Sequence, residues 1–122
     1  MNWTSIRLEL ARTQDFPNGS AARSYMLRLP LRRDGRVDET LYRHSPEMAT
    51  VRRFWPNEPD QYGYLARTQA GWAFSRTPGA AGGELLFNLD NDNDAIRPGG
   101  CLTLTEPDGN SRPYEIKTCR RT

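Results

Sequence analysis

The chain has 122 residues, a net charge of +2 and 36% hydrophobic residues. That is the length of one domain, and its interspersed charges give no strong single-sign field, so obligatory binding to nucleic acid or an anionic membrane is not implied. Its mean hydropathy is low at -0.81, yet the apolar residues fall in periodic blocks that a disordered chain has no reason to keep, so a single folded domain over residues 1–122 with long polar loops is expected.

Along the chain, Ile6, Leu8 and Leu10 alternate with Arg7, Glu9 and Ala11, the period of a strand with one buried face, placed at Trp3 to Arg12. After the turn-rich Asp15 to Ser20, alternation resumes in Tyr25, Leu27, Leu29 and Leu31. Pro30 interrupts it, and because proline cannot donate to a ladder this is an edge strand or one nearing its end. Arg33 to Arg36 turns the chain. Asp38 can cap a short helix that packs Leu41 and Tyr42 inward and stops at Ser45-Pro46.

Ala49 to Trp55 reads as a strand with Val51 on one face and Phe54 on the other, broken by Pro56 to Asp60. Tyr62, Tyr64 and Ala66 share a parity that Trp72 and Phe74 match if Gln69-Ala70-Gly71 is a three-residue turn, which predicts a hairpin aromatic on one face. A Gly/Ala loop from Thr77 to Gly83 precedes Glu84 to Leu89, where Leu85, Phe87 and Leu89 alternate. The closing hairpin is the clearest element. Pro107-Asp108-Gly109 supplies its turn and pairs Glu106 with Asn110, Leu104 with Arg112, Leu102 with Tyr114 and Cys101 with Glu115. Seven or eight short strands with at most one short helix make this an all-β domain, a small antiparallel barrel or sandwich.

Candidate chemistry is sparse. Asp90, Asp92 and Asp94 have the first offsets of a calcium loop, but Ala95 and Cys101 stand where glycine and a bidentate glutamate belong, so a solvated acidic loop is the reading and no metal is expected. The glycine-rich 79–83 lacks the Lys-Ser/Thr ending of a phosphate loop, and no cofactor is expected. His44, the single histidine, restricts acid/base proposals to itself with a carboxylate such as Asp38 or Glu47. In the closing hairpin's register a Cys101–Cys119 bridge is not predicted, although both cysteines share a face.

The guanidinium and aromatic groups of Arg52, Arg53 and Trp55, with Trp72 and Arg76 on the next hairpin, form the candidate ligand-binding set. They could stack single-stranded nucleic acid on a barrel face, or they could be core and wet surface. The favoured expectation is a non-enzymatic binding or interaction module for a protein or small ligand. Single-stranded nucleic acid and a small His44 enzyme are the alternatives.

Of the 17 basic residues only Lys117 is lysine, as arginine codons in a GC-rich genome would give. With Ala49-Thr50-Val51-Arg52-Arg53-Phe54-Trp55-Pro56 and Arg97-Pro98-Gly99, the chain resembles small uncharacterised proteins of GC-rich bacteria, a resemblance that implies no activity. Without a leader-like start or a membrane-length apolar run, the expected location is the cytoplasm.

Overall fold

A computed structural model describes residues 2–79, 84–88 and 95–122. The strands are β1 (Trp3–Leu10), β2 (Ser20–Pro30), β3 (Thr50–Phe54), β4 (Gln61–Arg67), β5 (Trp72–Ser75), β6 (Glu84–Phe87), β7 (Cys101–Thr105) and β8 (Ser111–Arg121). One helix, α1 (Glu39–His44), and a 3-10 turn, Pro46–Met48, lie between β2 and β3. The strands form one antiparallel sheet in the order β6-β5-β4-β3-β2-β1-β8-β7. Its two edge strands, β6 and β7, approach one another without a ladder, so the sheet is a nearly closed barrel instead of a sandwich. No helix among the described residues is long and apolar enough to cross a membrane.

The alternation read in the sequence builds the wall. Ile6, Leu8, Leu10, Tyr25, Leu27 and Leu29 are buried, and each fully buried Leu or Ile contributes roughly 1.5–3 kcal/mol. β1 ends at Leu10, two residues before the expected Arg12, where the β1–β2 register shifts after Glu9. Pro30 is the last residue of β2, beyond the Ser24–Leu27 segment that pairs with β3, so its missing N–H faces no ladder and β2 is internal. Asp38 caps α1 by accepting from the Leu41 N–H, and Tyr42 is its buried residue.

The closing hairpin has the expected register, with Cys101 opposite Glu115, Leu102 opposite Tyr114 and Leu104 opposite Arg112. The Glu106 N–H donates to the Asn110 carbonyl at 2.8 Å. In the turn, the Arg112 guanidinium and the Asn110 N–H hold the Asp108 carboxyl down at about 2.

Three parities differ from expectation, each through one residue of register. The β4–β5 loop is Thr68 to Gly71, four residues instead of three, closed by Thr68 Oγ1 accepting from the N–H groups of Ala70 and Gly71. Leu65 therefore opposes Phe74 and Arg67 opposes Trp72, which sends Trp72 and Phe74 to the inner face and leaves Tyr62 and Tyr64 on the outer one. In β6 the pairing jumps from Trp72–Phe87 to Ala73–Leu85, so Leu86 and Phe87 are both buried while Leu85 is 37% exposed. Leu89 and the acidic 90–94 run lie outside the described residues. In β8 a shift between Arg7 and Leu8 places Cys119 opposite Ile6, half-buried against the core, whereas Cys101 is exposed on β7. The cysteines do not share a face, and both are free.

Because neighbouring strands run oppositely, the last residues of β1, β3, β5 and β7 lie at one end of the barrel and α1 lies at the other. There Tyr42 packs edge-on to Trp72, with ring centroids 4.8 Å apart. Gly63, on the inner face opposite Val51, lets the Phe74 ring lie down on the sheet: a Cβ at Gly63 would stand 2.6 Å from that ring and 2.8 Å from the Ser75 carbonyl. Gly63→Ala should lower the stability by roughly 1–3 kcal/mol, read as a shifted denaturant midpoint at unchanged slope. Thiol titration of the denatured, unreduced chain should find two free thiols.

Candidate functional site

β3 turns Val51 and Arg53 inward and Arg52 outward. An arginine 6% exposed needs counter-charge, because an unpaired buried ion costs several kcal/mol. Two carboxylates supply it. Glu106, immediately after β7, has the same parity as Leu102 and Leu104, and its buried side chain accepts from Arg53 Nε at 3.2 Å. Glu58 accepts from the other side of the guanidinium at 3.0 Å. It is brought there by a turn in which Asn57 takes φ +63° and the Glu58 N–H donates to the Trp55 carbonyl.

Two phenols complete the cluster. Tyr25 donates to Glu106 Oε2 at 2.5 Å, Tyr114 donates to Oε1, and the rings meet edge to face at 5.2 Å. Burial, followed by the hydrogen bond to Glu106 and its charge, raises both phenol pKa values far above the ordinary tyrosine range. For Arg53, burial acts downward, but hydrogen bonding to Glu58 and the charge of Glu106 outweigh it and hold the guanidinium ionised. Trp55 lies behind this cluster with the guanidinia of Arg53, Arg23 and Arg112 at 4.6, 5.1 and 5.4 Å from its ring. Its buried N–H has no acceptor in hydrogen-bond geometry, yet lies near enough to the Tyr114 oxygen to oppose the rise in that phenol's pKa.

The remaining candidates separate. Arg52 is on the outer face between the rings of Phe54 and Tyr62, at 4.7 and 4.6 Å, and pairs with Asp60 at 3.2 Å. Trp72 is 1% exposed in the core. Arg76, just past β5, is exposed, and no described residue pairs with its guanidinium. His44 is exposed in the last turn of α1, at the opposite end of the barrel.

A cavity of about 760 Å³ opens at the mouth, walled by Tyr25, Arg53, Phe74 and Leu86 within and by Arg76 and Glu84 at its rim. A shallower hollow of about 470 Å³ on the outer face, over Met26, Arg52 and Tyr64, shares Tyr62 and Arg76 with it. The fold thus brings Arg53 and Arg76 to one cavity, sets Trp55 behind Arg53, and places Arg52 around the rim. Glu106, Tyr25, Tyr114 and Glu84 were not among the sequence candidates. The signal for Glu106 was an acidic residue on the apolar parity of a strand whose register was already legible. No cluster of three or more metal-ligating residues occurs among the described residues.

Two measurements check this arrangement. Glu106→Gln leaves Arg53 without its buried counter-charge and should destabilise the protein by about 3 kcal/mol, while Arg53→Met added to it should cost less than the sum of the single changes in a double-mutant cycle. Since folding raises the Tyr25 and Tyr114 pKa values, the folded chain holds these protons above pH 10 where the unfolded chain releases them. Stability from this source is complete below about pH 10 and falls above it, by up to about 1.4 kcal/mol per pH unit for each phenol. Tyr25→Phe should make that decline shallower. No protein-family model, curated protein or solved structure matches the chain, so the chemistry of the mouth is read from its own residues.

Proposed function

We propose that this protein is a binding module that holds a small molecule in the mouth of its barrel, with Arg76 receiving a polar group and Phe74 and Leu86 receiving an apolar one. The observation that carries the reading is the cavity. Its volume of about 760 Å³ lies within the roughly 300–1,000 Å³ of small-molecule sites, and its lining mixes an apolar floor with a few convergent polar groups. Eight strands enclose an interior that side chains can just fill or that can admit one small ligand. Among the described residues the α1 end is filled and the mouth is open.

Holding is favoured over catalysis because the polar groups nearest the cavity are already committed. Glu106 accepts three hydrogen bonds, and the Tyr25 phenol is kept protonated by the carboxylate it serves. Single-stranded nucleic acid on the outer face has less support, since the Arg52 guanidinium is already engaged with the rings of Phe54 and Tyr62 and neutralised by Asp60. Two unbridged thiols accord with a reducing compartment such as the bacterial cytoplasm.

The test uses 1-anilinonaphthalene-8-sulfonate, an aromatic anion that brightens on leaving water. Emission should rise and saturate at one dye per folded chain, and Gln61→Trp, which fills the rim from the inner face opposite Arg53, should abolish the rise at an unchanged melting temperature. Equal dye uptake by the variant and the parent, or none by the parent, overturns the reading.

A further inference from the structure

Arg76, just past the end of β5, and Glu84, the first residue of the adjacent β6, stand at the rim of the same cavity, both exposed. No ion pair or hydrogen bond joins them to one another or to any other described residue. The other rim carboxylate, Asp60, is already paired with Arg52, and the inner guanidinium, Arg53, with Glu106 and Glu58. Among the described residues the cavity therefore offers one uncommitted cation and one uncommitted anion above the apolar floor of Phe74 and Leu86.

From this we infer that the cavity selects a small zwitterion with an apolar side chain, an α-amino acid or short peptide whose carboxylate meets Arg76 and whose ammonium meets Glu84. This rests on the mouth being a binding site and specifies what it binds. The physical ground is the cost of dehydrating a charge. A ligand entering the cavity strips water from both rim groups, and a charged group left dry and unpaired is penalised. A simple anion would satisfy Arg76 and strand Glu84, and a simple amine would do the reverse. Only a ligand carrying both charges leaves neither unpaired, so the rim discriminates by rejection as well as by attraction. A direct Arg76–Glu84 bridge would have removed this selectivity by neutralising the rim internally. The apolar side chain follows from the floor, where Phe74 and Leu86 offer contact area and no free donor.

Calorimetric titration of the full chain with L-phenylalanine, N-acetyl-L-phenylalanine and L-phenylalaninamide separates the two charges on one side chain. The zwitterion should bind at least about tenfold more tightly than either analogue, as the loss of one charge-assisted contact requires. Arg76→Gln should lower phenylalanine affinity to that of the amide, and Glu84→Gln to that of the acetylated acid. Both residues are exposed, so neither variant should alter the melting temperature. A Gly-Phe arm distinguishes the sources: tighter binding of the dipeptide indicates a peptide, and tighter binding of phenylalanine a free amino acid. If the naphthalene sulfonate is taken up but the three phenylalanine ligands bind equally or not at all, the zwitterion assignment fails while the binding cavity stands. If neither dye nor amino acid binds, both fail.

Discussion

One buried carboxylate organises the mouth of this barrel. Glu106 takes hydrogen bonds from Tyr25 on β2, Arg53 on β3 and Tyr114 on β8, while its own position is set by the end of β7. A charge in that place is costly by itself, and it is tolerated because three donors converge on it. The cluster specifies more than it stabilises. A slip of one residue in β3 or β7 would turn Arg53 or Glu106 to the outside and leave the other charge dry, so wrong registers are penalised where apolar alternation alone would penalise them less.

The two ends of the barrel are built differently. At the α1 end Tyr42 meets Trp72 edge-on, and its hydroxyl donates to the Leu65 carbonyl and accepts from the Arg67 N–H, so that end is packed and hydrogen-bonded. At the mouth the wall is held by polar and stacked contacts that leave volume free. Arginine serves this purpose because its guanidinium cannot be deprotonated and can stack on a ring while its edge remains available for hydrogen bonds. Arg53 shows both uses, lying over Trp55 and bonding Glu106 and Glu58 along its edge. The alternation of arginine and aromatic residues that suggested a platform for bases is in large part the protein's own mortar.

Much of the wall was legible in the sequence, and the reason lies in short-range constraints. Pro107-Asp108-Gly109 fixes a loop length, and a loop length fixes a hairpin register, so every pair down to Cys101–Glu115 followed. Where the loop is four residues instead of the expected three, at Thr68 to Gly71, Trp72 and Phe74 lie on the opposite face from the one their spacing suggests. The bulges at Leu86 and in β8 had no local signature, because the sheet partners that impose them are distant in sequence. The candidate site was legible in part: Arg53 and Arg76 were named as binding candidates, but the burial of Arg53 could not be read, since strand alternation places a residue on a face without saying that a carboxylate 53 positions away will meet it. Glu84, like Glu106 and Glu115, is a carboxylate for which sequence spacing gives no geometry, because groups on different strands meet only through the fold.

The strand order also governs how the chain assembles as it is made. β1, the first strand of this sheet in chain order, sits inside the finished sheet and takes as one neighbour β8, the last of the sheet's strands in chain order. Until residues 111–121 emerge, the β1 edge that β8 will cover is open, an exposed ladder of the kind that recruits foreign strands. Arg53 likewise waits for Glu106, which arrives on the same closing hairpin. The hairpin that reads most plainly in the sequence thus supplies, in one late event, both the missing edge and the missing counter-charge, and a chain truncated before it would carry the two defects together.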